Sequence, residues 1–384
     1  MKLLDIIIDE MQSLFRGKCS IFLLLLGIPI AYSLVFGCAY SNGVIKYVPT
    51  VIYDQDQTVA SRSLTQAYID SERFNVIRQV TTQEEMEQAL QDNNALVAIT
   101  IPLKFSQSIK LGESSAVLVT TNSTNVMFAN AVISANNEIG QTFSAAISQK
   151  LLESSNQLPA AALKAAVPVR MGVRIINNPT TSYTNFMLAG LGANGLQIGI
   201  LLVAGTVLVK EYSNLARWHN TSSAAIIIGK LLPHWWSATA IFLFFIGVIT
   251  IVFGVPFRSN IASVFFLGSA FTFIVTNISF FFSVIAKDEV SALQAPLLYI
   301  MPGLLFSGLS WPSIAMNQFA QIFSALLPLT YLADTLRELL LSGYSPILLK
   351  NILIMYSVGS IFCLASIFIF SRRRNPKTAR QRGQ

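Results

Sequence analysis

Residues 21–40 read IFLLLLGIPIAYSLVFGCAY, twenty positions without a charge. As a helix rising about 1.5 Å per residue, this run reaches roughly 30 Å, one bilayer hydrocarbon thickness. The competing reading is a cleaved signal segment ending at Val35-Phe36-Gly37-Cys38. The apolar run is too long for a signal core, and Phe36 is bulky where a small side chain is preferred, so a retained span is expected.

The rest of the chain fits that start. Hydrophobic residues make up 53% of the 384 positions and charged residues only 12%, about half the charge of an ordinary soluble domain. Upstream, residues 1–18 place Leu4, Ile7, Ile8, Met11 and Phe15 on one helical face, the pattern of an amphipathic helix lying in the membrane interface. Residues 19–40 then form the first transmembrane helix.

Residues 41–185 contain no run able to cross a bilayer and hold eleven of the nineteen acidic residues. Short apolar strands alternate with helical stretches. Strands are expected at 50–53, 74–80, 96–101 and 116–121, with helices at 61–71, after a Thr82/Glu85 capping box, at 105–111, and over about 124–152. A further strand is expected over 169–176. This βαβα rhythm predicts an inserted α/β domain ending in a long helix. The region has none of the three cysteines, Cys19, Cys38 and Cys363, which leaves it without a disulfide or thiol chemistry.

Residues 186–370 return to the membrane. Uncharged spans are expected at about 186–208, 235–255, 261–286, 291–310 and 351–370. Between the last two, residues 313–341 are apolar but broken by Pro328, and each half is too short to cross. A re-entrant helical pair is expected there, because Asp334, Arg337 and Glu338 argue against a full seventh span. The fold class is thus an α-helical polytopic membrane protein, six transmembrane helices plus a re-entrant pair, with an inserted extracytoplasmic α/β domain and a basic cytoplasmic tail at 371–384.

Orientation follows the basic residues of short flanks. With the N-terminus inside, Lys2, Arg16, Lys18, Lys210, Arg217, Lys230, Lys287 and six tail residues fall on the inner side. Only Arg258, Arg337 and Lys350 fall outside. Both termini are then cytoplasmic. The net charge of +7 reads as this topology signal rather than as a nucleic-acid footprint.

The chemistry is mostly exclusion. Gly229-Lys230 is followed by Leu231 and lacks the upstream glycine of a phosphate-binding loop, so no nucleotide hydrolysis is expected from this chain alone. His219 and His234 have no partners at metal-ligand spacing. No Gly-x-Ser-x-Gly elbow is present. Glu84, Glu85 and Glu87 read as a solvated helix N-terminus. The expected spans lack ionisable groups, which points away from ion-coupled transport.

Several local stretches resemble one family. Val51-Ile-Tyr-Asp-Gln-Asp-Gln57 is similar to the first outer strand and Asp-x-Asp turn of ABC-2 type permeases with a large domain after the first span. Ile101-Pro102-Leu-Lys-Phe105, Asn178-Pro179 and Gly229-Lys230-Leu-Leu-Pro233 resemble further elements of that branch. So does Leu327-Pro328-Leu-Thr-Tyr331 with Leu336-Arg337 and Gly343. The re-entrant motif residues are then Pro328, Tyr331, Arg337 and Gly343. One stretch departs: Ser213–Trp218 replaces the family's Gly-Thr segment after Lys210-Glu211, and the later proline is missing.

The resemblance implies the membrane subunit of an ATP-binding-cassette exporter in a bacterial inner membrane. It implies a cytoplasmic ATPase as partner, with ATP used there and no cofactor bound by this chain. It also implies a second permease copy or paralogue, with a periplasmic adaptor left open. The loop Lys210–Lys230 would couple to the ATPase, with Glu211, Arg217 and Lys230 as candidate residues. Asn194, Gln197, Asn277 and Gln294 would line the translocation path or bond helix to helix. The rival readings are a MacB-like mechanical transducer, expected to have four spans, and a membrane-anchored lipid-modifying enzyme, expected to cluster acids or metal ligands at a membrane face.

Overall fold

The computed structural model describes residues 3–16, 21–92, 94–111, 113, 115–121, 126–153 and 176–374. The chain divides into two compact units, one of Met1–Gly43 with Ile175–Gln384 and one of Val44–Arg174.

Helix α1 (Leu3–Arg16) is amphipathic and α2 (Ile21–Ala39) is apolar throughout. The inserted unit follows in chain order: β1 (Val48–Asp54), α3 (Val59–Ile69), β2 (Phe74–Val80), α4 (Gln83–Gln91), β3 (Val97–Ile101), α5 (Phe105–Leu111), β4 (Leu118–Thr121) and α6 (Val126–Glu153). Its sheet runs β2-β1-β3-β4. The first three strands are parallel and β4 is an antiparallel edge.

The helices lie on both faces of this sheet. Leu64 and Tyr68 of α3, Phe105 of α5, and Val132 and Ala135 of α6 pack on the side of Ile52 and Ile99. Met86 of α4 covers Val51 and Ala98 on the other. The expected α/β alternation is present, with two local differences. Pro49 lies inside β1 rather than before it, and its carbonyl still accepts from Leu96 N at 2.9 Å. Thr82 caps α4 through Glu85 N at 3.2 Å, but the Glu85 carboxylate reaches back to Thr81 N instead of closing the box on Thr82. The strand expected over 169–176 lies outside the described residues except at its last position, which is not in a strand.

The family-like turn motifs are structural in this unit. Asp54 Oδ1 accepts from the backbone of Asp56 and Gln57, and its other oxygen accepts from Ser61 Oγ at 2.7 Å. Asp56 Oδ2 accepts from Ser106 N at 3.0 Å, tying the end of β1 to α5. Tyr68 donates to Asn136 on α6, and burial pushes its phenol up to about 12.

The membrane unit continues with α7 (Tyr183–Ala204), α8 (Val207–Glu211), a 3-10 turn (Tyr212–Trp218), α9 (Ser223–Phe253), α10 (Ile261–Ile285), α11 (Glu289–Ile300), α12 (Gly303–Phe306), α13 (Gln318–Ala325), α14 (Pro328–Ser342) and α15 (Leu348–Arg374). Among the described residues, six helices are long and apolar enough to cross a membrane. Asn178 caps the return: its amide oxygen accepts from Ser182 N at 3.1 Å, just before α7.

Two expectations change. The third span is a 31-residue helix starting at Ser223, not at about 235, because Pro233 sits inside it without breaking it. Lys230 and His234 therefore belong to a helix expected to be free of ionisable groups. The re-entrant halves are unequal, eight and fifteen residues, and they bend by 88°; residues 313–315 form a separate 3-10 turn.

The bend explains its own motif. Pro328 starts α14 at a position where no N–H is needed. Thr330 Oγ1 donates to Ser324 O and Tyr331 OH to Ala325 O, each at 2.7 Å, while Tyr299 OH donates to Leu326 O. The carbonyls freed at the end of α13 are thus satisfied by side chains, as an apolar surrounding requires. Gly343 ends α14 with φ +84°, the left-handed cap.

Candidate functional site

One face of the membrane unit gathers α1, the turn Tyr212–Trp218, the start of α9 and the end of α15. In α1 the stripe Ile6, Glu10, Leu14 is buried, while Leu4, Ile8 and Phe15 are exposed. Ile7 and Met11, of the same expected face, are half-buried. The buried stripe packs on α9 at Gly229, where a Cβ would stand 2.8 Å from Ile6 Cγ2 and 3.0 Å from its Cβ. Glycine at 229 lets α1 close on α9.

That closeness brings an acid to Lys230. Glu10 Oε2 lies 2.5 Å from Lys230 Nζ, and Glu211 Oε1 lies 2.9 Å from the same ammonium. Trp218, 1% exposed, donates its indole N–H to Glu211 Oε2 at 2.5 Å. His234 Nδ1 lies 2.9 Å from Lys230 O, so it donates there, and Nε2 faces Glu10 Oε1 at 3.8 Å. One ammonium therefore joins α1, the end of α8, the turn and α9. Removing a partner from a buried, hydrogen-bonded pair of this kind costs about 3–5 kcal/mol, because the remaining charge is stranded.

The turn is held from other sides too. Ser283 Oγ on α10 accepts from Leu208 N and Val209 N at 3.1 Å each, capping α8. Tyr212 OH donates to Val284 O at 3.2 Å. Arg217 pairs with Asp9 at 2.5 Å with both side chains about half exposed, a contact worth at most about 1 kcal/mol. Lys210 and Glu289 form an exposed pair at 3.4 Å. Asp288 caps α11 through Ser291 N at 2.8 Å, which holds its carboxyl below the usual range.

The expected coupling residues thus divide. Arg217 is exposed on the turn, as a contact residue must be. Glu211 and Lys230 are 8% and 6% exposed and act inside the chain, fixing the turn rather than presenting a surface. The sequence takes Trp218 only as the end of the divergent stretch and His234 only as a histidine without metal-ligand spacing, and it leaves Glu10 without a role. Glu10 did carry a signal: it is an acid at i±4 from Ile6 and Leu14, on the stripe that packs.

The expected path residues differ in burial. Asn194 and Gln197 are buried on α7, and Gln197 Nε2 lies 3.9 Å from the Cβ position of Gly303, at the break between α11 and α12. Gln197 Oε1 and Ser307 Oγ are buried with no partner among the described residues. Asn277 is buried on α10, its Nδ2 donating to Phe273 O at 2.9 Å. Gln294 is exposed on α11. In the re-entrant motif, Arg337 donates to Phe186 O at 3.1 Å and to Asp334 at 3.2 Å, and covers the Phe186 ring at 4.1 Å. It pins α14 to the start of α7.

Comparison with known proteins places this architecture. Residues 18–368 match the model of the ABC-2 family transporter protein. The chain is 21% identical over 354 residues to the "Probable multidrug ABC transporter permease YbhR" of Escherichia coli K12, covering 90% of this chain and 91% of that one. It is 21% identical over 378 residues to the "Inner membrane transport permease YhhJ" of the same organism, covering 95% and 96%. It is also 24% identical over 211 residues to the "ABC transporter G family member 20" of Dictyostelium discoideum, 53% of this chain and 28% of that protein.

Proposed function

The chain belongs to the ABC-2 family of transporter proteins, and from that premise we propose that it is the permease subunit of an exporter in a bacterial inner membrane, driven by a separate ATP-binding-cassette ATPase. Family membership implies the ATPase. The permease supplies no nucleotide site of its own, and ATP is spent by the partner. Both termini and the turn Tyr212–Trp218 face the cytoplasm, and the inserted α/β unit lies outside. A second copy or a paralogue completes the pathway.

The observation that carries this reading is the Lys230 junction. A partner pushing on the turn moves Trp218, which holds Glu211, and the pair of Glu211 with Lys230 passes the displacement to α9 and, through Glu10, to α1. Arg217 is the residue on the turn offered to the ATPase. Asn194 and Gln197 on α7 offer polar groups to cargo, and Gln197, beside the break between α11 and α12, has an acceptor whose lack of a partner among the described residues is costly at membrane depth. The name of one Escherichia coli relative, a probable multidrug permease, favours drug-like molecules as cargo.

The MacB-like alternative needs four spans, and six helices among the described residues are long and apolar enough to cross. The test is transport by inside-out vesicles holding this permease and its co-purified ATPase, with ethidium as the probe. ATP-dependent uptake that requires both subunits supports the reading; uptake by the permease alone overturns it.

A further inference from the structure

The end of α15 carries Arg372, Arg373 and Arg374, and two of them do something a solvated basic flank does not. Arg374 donates to three backbone carbonyls of the turn region: Trp218 O and Thr221 O at 2.5 Å each, and His219 O at 3.1 Å. Arg373 donates to Val284 O and, at 2.9 Å, to Ala286 O, at the C-terminal end of α10 and at its cap residue. Its guanidinium also lies 4.9 Å over the ring of Tyr212. Carbonyls at a helix end are short of intrahelical donors, and a cation there also meets the negative end of the helix dipole; Trp218 O accepts from Thr221 N as well, at 3.0 Å. Arg372, by contrast, covers Phe368 of its own helix, at 4.3 Å.

We propose that Arg373 and Arg374 are positioning residues of the coupling turn, and that they make the last span a second arm of the drive beside α9. The inference rests on the reading that the turn receives the ATPase stroke. Lys230 delivers that stroke to α9 and α1. The arginine forks deliver it to α15 and α10, which are packed along each other: Tyr356 OH donates to Ser269 Oγ at 2.9 Å, and the rings of Phe281 and Phe362 meet at 5.1 Å. A planar fork that reaches three carbonyls at once resists tilting of the turn in a way one ammonium does not.

The test has two arms. In the first, the permease alone, with Cys19, Cys38 and Cys363 replaced by serine, carries spin labels at Ser213→Cys and Ser371→Cys. Both positions are exposed and outside the clamp. Pulsed dipolar spectroscopy should give one narrow distance that Arg372→Ala leaves narrow and Arg374→Ala broadens, with Arg374→Lys restoring it incompletely. A distribution unchanged by Arg374→Ala overturns the clamp whether or not an ATPase is involved. In the second arm, with the ATPase present, Arg374→Ala should lower ATP-driven ethidium uptake by about tenfold while ATP hydrolysis continues, on the scale of one lost charge-assisted hydrogen bond. Uptake per ATP unchanged from the parent overturns the second-arm role. Hydrolysis that the parent permease fails to stimulate contradicts the exporter reading instead, and the first arm then decides the clamp by itself.

Discussion

Glu10 and Lys230, 220 positions apart in sequence, meet with their charged atoms 2.5 Å apart and both side chains almost wholly buried. The contact exists because α1 carries an acid on its packing stripe and α9 carries a glycine where the two helices cross.

Lys230→Met should be the most damaging single change at this junction. It strands two buried carboxylates, whereas Glu10→Gln leaves Lys230 paired with Glu211. The expected loss for Lys230→Met is about 3–5 kcal/mol. Thermal unfolding in detergent, followed by size-exclusion recovery, should rank Lys230→Met below Glu10→Gln and both below the parent. The opposite ranking contradicts the charge account.

Arg217→Glu separates contact from stability. Its pair with Asp9 is half exposed, so melting should shift by the equivalent of about 1 kcal/mol or less. ATPase activity stimulated by the permease should nevertheless fall, because the exposed cation of the turn becomes an anion. Unaltered stimulation removes Arg217 from the partner surface.

Gly343→Ala probes the re-entrant pair. The position has φ +84°, and a Cβ there would stand 2.8 Å from Arg258 O, a backbone atom that cannot swing aside. A loss of at least about 1 kcal/mol is expected from the strained cap alone. Melting equal to the parent's would show that α14 does not end in this conformation.

Tyr68 gives the inserted unit a pH signature. Its phenol titrates at about 12 in the fold and near 10 when unfolded. The folded state thus holds its proton more tightly. This contribution to stability is fully present below about pH 10 and is lost as pH rises toward 12. The absorbance titration of the parent minus that of Tyr68→Phe should show one phenol with a midpoint near 12. A midpoint near 10 would place Tyr68 in solvent.

Much of this architecture was legible because length and apolarity alone decide a span, and because Pro328 and Pro102 punctuate the chain where elements end. The third span starts earlier than its uncharged run, for a physical reason. Lys230 and His234 read as flanking polar residues, yet Glu10 and Glu211 neutralise the lysine and allow the helix to extend past it. Glu211 was singled out as a surface contact; its burial depends on Trp218, whose indole needs an acceptor once it is inside. The clamps made by Arg373 and Arg374 bond to backbone carbonyls, which leave no mark in side-chain composition. The basic tail therefore read only as an orientation signal.

The most direct test of the central claim is site-specific photocrosslinking in the assembled complex. A benzophenone side chain is placed at Ala216, exposed on the turn, or at Gln107, exposed on the inserted unit. The account predicts an ATP-binding-cassette ATPase crosslinked from Ala216 and not from Gln107. Crosslinking of that ATPase from Gln107, with none from Ala216, would contradict both the coupling turn and the orientation it requires.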